Sequence, residues 1–352
     1  MGLKGQALAT VKTIQENQHQ GARRNRFSWS ALWNRSGLTE YWILFLSLIY
    51  FLAMWPLTPG LASAENLRNI FSNMLPLLVV SIGQTIVLIT GGIDLSATSI
   101  IGLTSVLGAL LMNADTGVFG GNAWAAPIGI LVMLLVGLLV GWLNGFAIAR
   151  LKMPAFIVTL TAMMFFSGLA IWLTKSRPIY NLPARFNALG KGSLLLVPSA
   201  LIIALVMAMA AHIFLSRTLL GHWIYAVGMN AKASMVSGIP VHRITVLAYV
   251  LSGFYAAVAS ILYTGRLETG SPVLGQKILL DVIGAAVIGG TSLFGGHGKI
   301  VWTVFGVWFI CLIDNSLNML GLSYFVVMMV KGAVILLASL LDVLRARFMV
   351  RE

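Results

Sequence analysis

Residues 127–149 read PIGILVMLLVGLLVGWLNGFAIA, from Pro127 to Ala149, without one Asp, Glu, Lys, Arg or His. A helix rising 1.5 Å per residue needs about 20 such residues to cross a hydrocarbon core about 30 Å thick. The stretch is read as a transmembrane helix. Val197 to Leu215 reads almost as cleanly. From Tyr41 onward the chain repeats this theme, an apolar run of about 20 residues and then a short break. Ten spans are predicted, at 41–57, 70–90, 94–112, 127–149, 154–174, 197–215, 244–264, 279–296, 300–319 and 323–342. The second and third are separated only by Gly91–Gly92, the eighth and ninth only by residues 295–299. Each of those pairs is either a tight hairpin or a broken helix. The expected fold class is all-α: a polytopic membrane protein with about ten transmembrane helices.

The 352 residues are 59% hydrophobic and 9% charged, with a mean hydropathy of +0.92. Soluble domains carry roughly 25% charged residues. The composition excludes an ordinary soluble enzyme, a disordered chain and a nucleic-acid-binding domain. The net charge of +13 is read as an orientation signal, because cytoplasmic loops collect Lys and Arg. Ten spans put both ends on one side of the membrane. With both ends inside, the inner segments hold fifteen Lys/Arg and the outer ones seven. The N and C termini are therefore expected in the cytoplasm, with the 175–191 outer loop as an exception. Three regions follow. Residues 1–40 are a basic cytoplasmic tail, in which Phe27, Trp29, Leu32 and Trp33 lie among arginines and suit an interfacial helix. Residues 41–343 are the transmembrane domain, carrying a cytoplasmic loop at 216–243. Residues 344–352 are a cytoplasmic C-terminal tail. The first apolar stretch begins at Tyr41, too late for a cleaved secretory signal.

The motifs of soluble catalysis are missing. No G-x-x-x-x-G-K-[ST] phosphate cradle and no H-E-x-x-H is present. The five histidines have no ligand spacing on one helix, and the single cysteine, Cys311, allows neither a disulfide nor a thiolate site within the chain. No catalytic residue, metal or cofactor is expected here. Glycine supplies 36 residues. Gly137, Gly141 and Gly145 share one helix face and are expected to pack within the chain rather than across a dimer. Gly91–Gly92 and Gly289–Gly290, each followed by polar residues and a leucine, hint at an internal repeat.

Four charges fall in or at the edge of spans: Asp94, Asp281, Asp314 and Lys331. An ionisable group at bilayer depth is costly and should be paired or face a polar path. Asp281 is read as a solvated helix N-terminus. Asp314 and Lys331 lie on consecutive antiparallel spans that turn near Gly321, offset by about 4.5 Å along the axis. They are read as a structural ion pair. A single acid and base do not make a relay, which argues against ion-coupled transport. In Thr90-Gly-Gly-Ile-Asp-Leu-Ser96, two glycines break the helix, and Asp94 and Ser96 are expected to cap the next one. Irregular backbone at membrane depth is tolerated where it lines a polar cavity, so Thr90, Asp94 and Ser96 are candidates for a substrate path. Between Ser216 and Arg243, Ile224, Val227, Ala231 and Met235 recur at helical spacing, with Gly221, Gly228, Gly238 and Pro240 as breaks. Gly228 is read as a turn glycine with a positive φ. A short amphipathic helix there suits a cytosolic docking partner; the competing reading is a helix resting on lipid.

Three motifs together resemble the permease subunits of bacterial ATP-binding-cassette importers for ribose, xylose, arabinose and related sugars. TGGIDLS at 90–96 is similar to that family's signature after its second helix. The run G-x3-YAVGMN-x2-A-x4-GI, Gly221 to Ile239, resembles its coupling loop. LDVIGAAVIGGTSLFGGHGKI at 280–300 resembles a third block, and the tail 317–342 is similar too. The resemblance spans roughly residues 40–342. It implies a type II-like importer permease, working as a homodimer in the bacterial inner membrane among its lipids. A separate cytosolic ATPase would bind ATP and Mg and drive it, and a periplasmic binding protein would deliver a monosaccharide or related polyol. On the same ground, Asp94 and Ser96 carry over from the signature, and Tyr225, Ala226, Gly228, Asn230 and Gly238 lie in the coupling segment. Asp314 stands where the family often has Asn, and the N-terminal tail is longer than expected.

Two other readings stay open on sequence alone. One is a related permease for a nucleoside, a branched-chain amino acid or an autoinducer. The other is an ion-coupled secondary carrier. A membrane-embedded enzyme would need facing catalytic groups within the spans, and Asp314 and Lys331 are the only such pair.

Overall fold

The computed structural model describes residues 42–194 and 197–349, with side chains to residue 340. The basic tail at 1–40 and its expected interfacial helix lie outside the described residues. Helix α1 is Trp42–Met54, α2 Ala64–Ile89, α3 Ala97–Met112, α4 Ala125–Ala149 and α5 Ala155–Thr174. A short helix α6, Ala184–Lys191, precedes a two-stranded hairpin, β1 Ser193–Leu194 and β2 Val197–Pro198. There follow α7 Ser199–Arg217, α8 Leu219–Met229, α9 Ala231–Val236, α10 Val241–Leu267, α11 Leu279–Ile288, α12 Ile300–Met319 and α13 Tyr324–Met349. Each of the ten predicted spans holds a helix. Helices α2, α4, α5, α7, α10 and α12 are long and apolar enough to cross a membrane, whereas α1, α3, α11 and the apolar part of α13 are shorter.

The eighth span needs correction. Helix α11 stops at Ile288 rather than running to residue 296. Residues 289–299 form an irregular loop in which Gly290, Gly295 and Gly296 all have positive φ, a region that side chains resist. The other ambiguous joint resolves in the same way, as irregular backbone between α2 and α3. The two glycine breaks lie against each other, since Gly296 N–H donates to Ile89 O at 2.8 Å. Helix α13 runs past residue 343 to Met349.

The loops gather at two ends, as an antiparallel bundle requires. At one end Ile179 and Gly270 exchange backbone hydrogen bonds of 2.8 and 2.9 Å, and Asn113 Nδ2 donates to Tyr180 O at 2.7 Å. At the other end the 90–96, 218–240 and 289–299 segments meet.

Helices α2 and α10 form the centre. From Met74 to Ile89, every residue of α2 is buried. Gly137, Gly141 and Gly145 of α4 press on α10, where a Cβ would strike Gly253 O, Tyr249 O and the Val246 backbone. This is the expected intrachain packing by small residues. Pro76 sits inside α2. It has no N–H, so the carbonyl of Ser72 loses its helical partner. Arg266 replaces it: its guanidinium donates to Ser72 O at 2.6 Å. On the periphery α4, α5 and α7 expose Leu131, Leu135, Leu139, Phe165, Trp172 and Leu205, a surface matched to lipid tails.

Candidate functional site

Three clusters of polar or contact residues stand out. The first is at the α2–α3 break. Asp94 is 1% exposed. Its Oδ1 accepts from Ser96 N–H at 2.9 Å and Ser96 Oγ at 2.6 Å, and its Oδ2 accepts from Ser252 Oγ at 2.7 Å. It also accepts from the Ala97 N–H. Asp94 therefore caps α3, as expected. Ser96 does not, because its side chain makes no capping bond. Its hydroxyl is committed to Asp94 and to Asn144 Nδ2, 2.7 Å away on α4. The cluster thus ties α3, α4 and α10 together. Thr90 is half-buried, and its hydroxyl turns back to Val87 O at 2.7 Å.

The second cluster is the junction of the 216–243 loop with the two glycine breaks. The 216–243 loop folds as two helices, α8 and α9, rather than one. Gly221 and Gly228 are not breaks; both lie inside α8. Gly228 is helical, so it needs its glycine for contact and not for φ. A Cβ there would strike Ile89 O and the Gly296 backbone nitrogen. The positive φ of this loop belongs to Gly238, at +82°. Tyr225 Oη donates to Gly298 O at 2.7 Å, and burial holds its pKa above the ordinary tyrosine value, so the hydroxyl keeps its proton. Ala226 is half-buried. Asn230 caps α9 by accepting from Ala233 N–H at 3.0 Å. Of the expected contact residues, Tyr225 and Gly228 thus meet α2 and the 289–299 loop, whereas Asn230 caps α9 and a Cβ on Gly238 would meet open space. Met229, Met235 and Val236 stay exposed, Met229 by 70% and Val236 by 91%.

The third cluster lies toward the opposite end of the bundle. The expected pair of Asp314 and Lys331 is present, with Lys331 Nζ 3.0 Å from Asp314 Oδ1. It is part of a triad. Lys331 Nζ also stands 2.9 Å from Asp281 Oδ1 and 3.0 Å from Oδ2. Asp281 is buried, so its reading as a solvated N-terminus is overturned. Its helix α11 packs between α12 and α13, which brings the carboxylate to the ammonium. Asp281 and Asp314 line a cavity of about 380 Å³ together with Asn73, Tyr263, Cys311, Asn315 and Asn318. Thr90, Asp94 and Ser96 do not line it. Among the described residues no group of His, Cys, Asp and Glu could hold a metal ion.

A polar cavity, a break-lined bundle and a glycine-packed loop are the furniture of a transport subunit, and comparison with known proteins specifies which. The family described as "Branched-chain amino acid transport system / permease component" matches residues 66–339. The chain belongs to this permease family. The ribose import permease protein of Haemophilus influenzae is 35% identical over 304 residues, 85% of this chain and 91% of that protein. The ribose import permease protein of Bacillus subtilis is 37% identical over 290 residues, 81% and 87% of the two chains. The L-arabinose transport system permease protein of Escherichia coli is 30% identical over 322 residues, 92% and 94%. No solved structure matches the chain. As a permease, the chain is a transport subunit and not an enzyme, embedded by multiple helices in the bacterial inner membrane.

Several residues of these clusters escaped the sequence reading. Asn73, Asn144, Ser252 and Asn315 are polar groups within spans, a signal of the same kind as the four charges. They are neutral and weaker in cost, and nothing in the linear order tells which of them meet.

Proposed function

We propose that this permease imports a monosaccharide or related polyol, driven by ATP bound with Mg on a separate cytosolic ATPase and fed by a periplasmic binding protein. The similarity to ribose and L-arabinose permeases over more than 80% of the chain supports a sugar over the family's amino-acid relatives. The observation that carries the mechanism is the junction of the 216–243 loop with the two glycine breaks. Helix α8 touches Ile89 at the end of α2 and the 289–299 loop through Gly228, so a push on α8 passes directly to the ends of two membrane helices. The exposed Met229, Met235 and Val236 give an ATPase an apolar surface to grip. Two nucleotide sites working together need two such surfaces, which supports a homodimer. The charge balance supports cytoplasmic termini. In alternating access, sugar enters from the periplasmic side, passes the bundle and leaves inward. Thr90, Asp94 and Ser96 belong to the frame of that path: Asp94 fixes the α3 start that the path runs beside.

The test is uptake in proteoliposomes holding the permease, its ATPase and its binding protein. ATP-dependent accumulation of radiolabelled D-ribose or L-arabinose, abolished by vanadate, is the expected result. Uptake driven by an ion gradient without ATP would show a secondary carrier instead.

A further inference from the structure

We propose that the cavity-lining face of α2 continues inward as the route of the sugar, with Gln84 as a specificity-determining residue on it. This deepens the sugar-import reading and rests on it. Asn73 and Leu77 line the cavity. At about 100° per residue, Ser81 and Gln84 fall within about 80° of Asn73 around α2. Gln84 lies about 10 Å deeper along the axis than Leu77.

Ser81 and Gln84 are both 0% exposed. Among the described residues, neither Ser81 Oγ nor Nε2 or Oε1 of Gln84 has a hydrogen-bond partner. Their neighbour Thr85 contrasts with them, sharing a 2.8 Å hydrogen bond with Thr303 and donating to Ser81 O. Burying an amide without partners is costly, so such a group marks a position where a partner arrives from elsewhere. The amide offers donors and acceptors together, and a sugar hydroxyl is both at once. Immediately inward, Leu88 packs on Ala286 and Val287 of α11. That apolar contact closes the route on the inner side. It adjoins Ile89, whose carbonyl meets Gly228 of α8. Movement of α8 would therefore part Leu88 from α11 and release what Gln84 holds.

The experiment compares wild type, Gln84→Leu and Gln84→Asn in the complete transporter in proteoliposomes, with radiolabelled D-ribose, L-arabinose and D-xylose as probes. Gln84→Leu strips no protein hydrogen bond, so permease level and melting temperature should stay at or above wild type. Uptake of the best-imported sugar should fall at least tenfold. Gln84→Asn should recover part of the rate and change the ratio among the three sugars, a readout that a purely structural amide would not move. Wild-type uptake by Gln84→Leu, or a loss that only follows the amount folded, overturns the proposal and leaves the sugar reading standing. Failure of the wild type to import any of the three overturns both.

Discussion

Lys331 sits between two carboxylates of unequal exposure, and that inequality sets what each substitution should do. The Asp281 side chain is 13% exposed and that of Asp314 46%. Removing one partner of a buried pair costs about 3–5 kcal/mol, because the other charge is left uncompensated. Lys331→Met strands Asp281 and should destabilise by about that amount. Asp314→Asn should cost at most about 1 kcal/mol, since half-exposed pairs are screened by solvent. The double change Asp281→Asn with Lys331→Met should recover much of the loss. Thermal melting in detergent measures all three, and a double variant no better than Lys331→Met would refute the pairing. The Asp314 partner was legible from the turn at Gly321. The stronger partner was not, because Asp281 is 50 residues away in sequence and reaches Lys331 only through the packing of α11.

At the scale of elements, a helix that loses one backbone hydrogen bond to a proline regains it from outside. Pro76 leaves Ser72 O without its helical donor, and Arg266 of α10 supplies one at 2.6 Å. A hydrogen bond to a charged group contributes about 1.5–3 kcal/mol. Arg266→Met should lower stability by that amount in wild type and by less than half of it in a Pro76→Ala background, where residue 76 regains its N–H. Equal losses in both backgrounds would show that Arg266 acts elsewhere. Span positions were legible because hydrocarbon thickness sets helix length directly. The end of α11 was not, since Leu293 and Phe294 carry the apolar run past Gly289–Gly290, and the positive φ of Gly290, Gly295 and Gly296 takes the segment out of a helix. Gly221 and Gly228 misled for the related reason that one residue type serves both turns and close contacts. Composition cannot distinguish those uses; the neighbouring backbone can.

At the scale of the whole molecule, orientation and coupling join the account together. In a Cys311→Ser background, single cysteines at positions 20, 230 and 350 should be shielded from an impermeant thiol reagent in intact cells, and one at 185 should react. Labelling of position 230 from outside would invert the topology and place α8 away from any cytosolic ATPase. The central claim is that α8 and α9 transmit the ATPase stroke through Gly228 to α2. Its most direct test is substrate-stimulated ATP hydrolysis by the reconstituted transporter carrying Met229→Glu and Met235→Glu. Both side chains are exposed, so the variant should insert and melt like wild type. Hydrolysis stimulated by the loaded binding protein and sugar uptake should fall together, at least tenfold. Wild-type stimulation and uptake in that variant would contradict the account, because a surface that tolerates two carboxylates is not the one the ATPase grips.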